Sequence, residues 1–198
     1  ALRYFFLREV PFGRDGSFSD EAIVNRVNAD LANDLGNLAQ RFLSMICKNC
    51  DGIMPTPHAL SAEDEALLAL FDGLLPKAEA VMQSYEIHNY LALVMDAVSE
   101  ANRYFAGQAP WGLKKTDPER MGTILYIAAE VVRQAAILLQ PVVPTGAAAL
   151  LDYLGVDADA RSFAHLGAEN RVASGRQLEP PQGVFPRLSP LADGENDS

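Results

Sequence analysis

The chain is poor in the residues that build metal centres and thiol active sites. Two cysteines and three histidines occur in 198 residues. The cysteines form one pair, Cys47 and Cys50 in "CKNC", which is half of a zinc site at most. His58, His88 and His165 do not stand at metal-ligand spacing from it. The pair closes a helical pattern, whereas a redox CxxC opens a helix after a strand. Two structural thiols in a reducing cytoplasm are the plainer reading, and no metal is expected. Basic residues are also scarce, 16 against 26 acidic, for a net charge of −10. That balance repels a phosphate backbone over most of the surface and excludes a general nucleic-acid coat; no DNA partner is expected. A long uncharged apolar run is missing too. The nearest, Ile124 to Val143, is interrupted by Glu130 and Arg133, so no membrane span is expected. The opening "ALRYFFLREV" mixes charges with apolar residues and has no initiator methionine. It is no signal peptide and reads as the start of a piece of something longer.

What is present is helix. Residues 1 to 9 carry an apolar stripe, which "PFGRDGS" breaks. Ser19 caps a helix from about Asp20 to Leu31, and a second spans about Asn33 to Asn49 with Leu35, Leu38, Phe42, Met45 and Ile46 as its buried stripe. Helical patterns follow over 62 to 84 and 86 to 106. "TDPER" opens another, with Asp117 as N-cap, Pro118 in the first turn and a core face from Met121 to Leu139. A short helix reaches about Leu154. The spacing predicts an all-α antiparallel helical bundle over residues 19–172. Residues 1–18 precede it, and 173–198 form an extended Pro/Gly-rich tail in which Val184 and Phe185 are expected to tuck into a surface groove.

One region carries the opposite charge balance. Residues 61–100 hold eight acids against Lys77 alone, whereas 101–135 hold five basic residues against three acids. That stretch contains the only tryptophan, in "QAPWGLKK", with Pro110 and Gly112 flanking Trp111 and Lys114 and Lys115 just behind. Proline and glycine stop a helix or strand here, so the ring sits in a loop. It is either a plug for the bundle end or an aromatic platform. Helix 33–49 has a second face on which Asn37, Arg41, Ser44 and Lys48 line up. That face is either a solvated surface or a pair of planar donors, amide and guanidinium, that can read a base edge. An aromatic platform combined with such donors is how unstacked RNA bases are recognised. Two further readings stay open: a protein–protein adaptor anchored by Trp111, and a thiol-redox or metal module built on Cys47 and Cys50.

"FSDEAIVNRVNADLANDLGNLAQR", "EANRYFAGQAPWGLKK" and the closing "VFPRL" together resemble the C-terminal part of bacterial methionyl-tRNA synthetases. "ALRYFFLREVPFGRDGSFS" resembles that family's connector from the catalytic domain, where the stem-contact region leads into the bundle. The resemblance covers nearly the whole chain in order, and "GNLAQR" and "APW" are its specific motifs. It implies recognition of the CAU anticodon loop of tRNA(Met). Trp111 would stack on a base and Asn37 and Arg41 would bond to base edges, with Pro110, Lys48, Lys114 and Lys115 as supporting contacts. The family's HIGH-type and KMSKS-type motifs do not occur in these residues. No catalytic residue and no cofactor are therefore expected in this chain, ATP and magnesium belonging to the family's catalytic domain. The family's own catalytic domain would be a partner, the location cytoplasmic. The lack of an oligonucleotide-binding-fold extension after "VFPRL" implies a monomeric parent enzyme.

Overall fold

The structure, a computed structural model, describes residues 1–16 and 18–189. The closing "DGENDS" lies outside them. Among the described residues eight α-helices run in the order α1 (Leu2–Glu9), α2 (Asp20–Val27), α3 (Asn37–Asn49), α4 (Ala62–Asp72), α5 (Leu74–Met82), α6 (Ile87–Gln108), α7 (Pro118–Leu139) and α8 (Pro144–Tyr153). Among the described residues the only β-pairing is an isolated bridge between Ile53 and Gln177.

The bundle is built around α7. Every residue of it from Met121 to Leu139 is buried, as α3, α4, α6 and α8 pack around it. This explains why α7 is long and apolar enough to cross a membrane by composition alone: its apolar surface is fully buried in the fold. The two charges that interrupt it, Glu130 and Arg133, are paired side by side. Arg133 donates to Glu130 through Nε and Nη2 at 2.9 and 2.8 Å. Glu130 also accepts from the Val172 amide, Gln134 and Arg171. Arg171 in turn reaches Asp72 at the end of α4. A buried charge on a core helix is tolerated because every one of these partners converges on it.

Two expectations about helix boundaries need correction. The helices read as 20–31 and 33–49 are one continuous helix, because Asn28–Gly36 forms a π-helical segment that joins α2 to α3 without a break. Asn28, Asp30, Asn33, Asp34 and Gly36 are weak helix formers, which is why the sequence suggested an interruption. Tertiary contacts override that preference. Buried Asp30 accepts from the Tyr4 hydroxyl at 2.7 Å and pairs with Arg26 and Arg8. The Asp34 carbonyl accepts from Asn102 on α6 at 3.2 Å. In the wider turn the Asn37 amide bonds back to Ala32, five residues earlier. The second correction is at Gly73, which ends α4 so that the 62–84 pattern becomes two helices.

α1 packs on α6 and α2 and adds Tyr4 and Phe5 to the common core. Its other face leaves Leu2 and Phe6 exposed, with Phe6 edge-on to exposed Phe18, while exposed Phe12 stacks on Tyr85. Phe185, in the tail, lies in a slot floored by glycine. An added Cβ on Gly146 would collide with its ring, and one on Gly36 would come within 3.5 Å of Phe185 and 2.8 Å of the Leu31 carbonyl. The tail therefore does pack against folded structure, as its two apolar residues suggested.

Candidate nucleic-acid interface

The tryptophan loop begins where α6 ends. Ala109 adopts the left-handed conformation (φ 44°, ψ 55°) and its amide caps the Phe105 carbonyl. Pro110–Gly112 then form a single 3₁₀ turn, with Pro110 buried and Trp111 56% exposed. The loop base is fixed from below. Asp64, fully buried, closes a capping box with Ser61 and accepts from the Tyr104 hydroxyl at 2.6 Å and from both terminal nitrogens of Arg120. Arg120 also bonds Gln108, the last residue of α6, at 2.6 Å. Burial pushes the Asp64 carboxyl up, but Arg120, the Tyr104 hydroxyl and the Ser61 amide outweigh it and hold it at about 2.

Arg41 projects from α3 towards this loop. Its guanidinium lies 5.1 Å from the centroid of the buried Phe105 ring, and Nη2 donates to Asn102 Oδ1 at 2.6 Å. Asn102 spends its two amide protons on the carbonyls of Val98 and Asp34, so its oxygen is the atom left to face Arg41. Trp111 meets the same Phe105 edge-on, with centroids 6.2 Å apart. Phe105 is thus the shared support, with the cation on its face and the exposed indole at its edge. Burial lowers the Arg41 pKa from its ordinary value; the group stays cationic at neutral pH. Its Nε is buried without a partner, and only Nη2 is engaged among the described residues. A planar fork with free donors beside an exposed aromatic face can hold a planar base with acceptor edges.

The other expected residues fall in different places. Asn37 is exposed one turn before Arg41, and the open cleft it borders is lined by neither Arg41 nor Trp111. That cleft joins Asn37 to the tail residues Gly183 to Phe185 and Arg187. Lys48, Lys114 and Lys115 are exposed, without ion-pair partners among the described residues. The polar face of α3 is not simply solvated, since Arg41 and Ser44 are half-buried. Cys47 and Cys50 are free, and burial raises both thiols, with Glu179 and Asp51 adding to it respectively. That favours the unreactive thiol form. Asn102 and Phe105 belong to the site although no sequence motif marks them. The only signal for them is their spacing, three residues apart on the face of α6 that ends at the tryptophan loop.

The fold and this arrangement define a helical domain that presents a loop aromatic and a positioned guanidinium on one surface. Residues 54–195 match the family described as the anticodon binding domain of methionyl tRNA ligase, and residues 1–43 match tRNA synthetases class I (M). The chain belongs to the methionyl tRNA ligase anticodon-binding family. It is 58% identical over 186 residues to a methionine–tRNA ligase of Rhizobium meliloti, covering 94% of this chain and 36% of that protein. A methionine–tRNA ligase of Mycobacterium bovis is 51% identical over 193 residues, 96% of this chain and 37% of that one. Among solved structures, the apo form of Mycobacterium tuberculosis methionyl-tRNA synthetase superposes with a TM-score of 0.92 at 50% identity, covering 96% of this chain and 39% of that chain. The same enzyme bound by methionyl-adenylate gives a TM-score of 0.90, covering 93% and 37%. The chain spans little more than a third of the length of these relatives.

Proposed function

We infer that the chain reads the CAU anticodon of tRNA(Met) as the C-terminal part of a cytoplasmic, monomeric methionine–tRNA ligase. The parent enzyme would join methionine to its tRNA with ATP and magnesium in a catalytic domain that precedes these residues. Trp111 stacks on one anticodon base, raised on buried Pro110. Arg41 and Asn37 bond to base edges, and Lys48, Lys114 and Lys115 contact the backbone. The observation that carries this reading is the Arg41–Phe105–Trp111 arrangement, an exposed indole and a held guanidinium resting on one buried ring. Residues 1–18 act as the connector. Their exposed Leu2, Phe6, Phe12 and Phe18 suit a surface covered by the preceding domain.

The test is anisotropy of a labelled anticodon stem-loop, with a CAU loop and with an altered one. Trp111→Ala should cost about 1–3 kcal/mol of affinity through lost stacking. It should leave the melting temperature nearly unchanged, since the ring is mostly exposed. Arg41→Lys should also weaken binding, because an ammonium cannot reproduce the planar fork. A large loss of stability with unchanged RNA binding would make Trp111 a structural plug and remove the reading. Equal affinity for both loops would do so as well.

A further inference from the structure

The continuous helix from α2 to α3 carries a polar track, Asn33, Asn37, Arg41, Ser44 and Lys48, recurring every three or four residues. Its cations are unevenly placed. Between Arg26 and Arg41 the helix has no basic residue, and Arg26 itself is tied to Glu9 and Asp30. The tail supplies what the helix lacks. It runs antiparallel along this helix, with the Pro181 carbonyl accepting from Gln40 and Leu188 exchanging two hydrogen bonds with the Asn28 side chain, at 2.9 and 2.8 Å. Phe185 sits against Gly36 between these two anchors. That seating delivers Arg187 to Asn33, whose Oδ1 accepts from Nη2 at 2.7 Å. Between tail and helix lies an open cleft of about 310 Å³ bordered by Asn33, Gly36, Asn37, Gln40, Phe185 and Arg187.

We propose that this cleft is a ribonucleotide subsite in which Arg187 binds a phosphate and Asn37 contacts the base of the same nucleotide. The C-terminal tail is then part of the RNA-binding surface. The proposal rests on the reading of Trp111 and Arg41 as an RNA site and extends it along the helix. Asn33 is a neutral partner, so it orients the guanidinium without cancelling its charge. Arg187 is exposed, and no carboxylate pairs with it among the described residues. In a protein of net charge −10, such a guanidinium on a polar track is a local anion site. The cleft's volume is that of a small-ligand site, enough for one nucleotide and not for a duplex.

The experiment follows the emission of Trp111, the chain's single tryptophan. The chain is titrated at several salt concentrations with stem-loop RNAs bearing a CAU loop and an altered loop. Arg187→Gln should weaken both RNAs by about threefold to tenfold and reduce the salt dependence by close to one released counterion. Arg187→Lys, which keeps the charge, should retain the salt dependence, and serves as the deciding variant if Arg187→Gln lowers the melting temperature. Unchanged affinity and salt dependence in Arg187→Gln overturn the subsite while wild-type binding leaves the Trp111 reading intact. A loss confined to the CAU loop overturns the phosphate assignment. A wild-type chain that binds neither RNA overturns both readings.

Discussion

Asn102 is the residue that tells Arg41 where to point: its Oδ1 takes the Arg41 Nη2 proton at 2.6 Å while its amide group is bound to the carbonyls of Asp34 and Val98. A side chain with both ends committed cannot turn over. It ties the π-helical segment, α3 and α6 together at one point and presents the guanidinium to the tryptophan loop already oriented. Preorganisation of this kind lowers the entropy that a ligand must otherwise remove on binding.

Asn102→Ala should therefore act on both stability and recognition. Losing a charge-assisted bond and a carbonyl's partner should cost about 1–3 kcal/mol in urea unfolding. RNA affinity should fall as well, because Arg41 keeps only its contact with Phe105. A variant that loses stability but binds RNA at wild-type strength would show that Arg41 needs no such guide.

Asp64 makes a pH prediction. Its folded carboxyl is held at about 2, below the ordinary carboxylate value. The sign follows from linkage: stability from this group is complete above about pH 4 and is lost as pH falls towards 2. The difference amounts to about 2 kcal/mol. Acid titration of thermal stability in wild type and Asp64→Asn should thus converge at low pH. Parallel curves down to pH 2 would contradict the assignment.

Glu130→Ala should be among the most damaging single changes. Arg133 is nearly fully buried and would be left charged and without its carboxylate, at a cost of about 3–5 kcal/mol. Asp152→Ala, which breaks an exposed pair with Arg161, should cost less than about 1 kcal/mol. Denaturant melts of the two variants compare the buried pair with the surface one directly.

Ala109 precedes a proline in the left-handed conformation, which costs an L-residue about 1–2 kcal/mol. Ala109→Gly should hold or raise the melting temperature, and Ala109→Val should lower it. Both are exposed to a second check, since a loop that relaxes on substitution shifts the emission maximum of Trp111.

The sequence by itself determined what depends on neighbours along the chain. The stripe of Leu35, Leu38, Phe42 and Ile46, the Asp117–Pro118 start of α7 and the Pro–Trp–Gly break after α6 follow from helical period, capping and backbone geometry, all local. The motifs around Asn37, Arg41 and Trp111 were legible for the same reason, as residue types at fixed spacing. Tertiary structure decided the rest. Five weak helix formers between Asn28 and Gly36 argue for a break, yet Asp30's ring of partners and Asn102's grip on Asp34 hold them helical. Arg41 looks like a surface residue in the pattern and becomes half-buried because Phe105, more than sixty residues later, lies under it. Gly36 and Gly146 carry no sign that they are the two walls of a slot for Phe185. Such long-range meetings are set by which faces the whole bundle must bury together, and no local period encodes them.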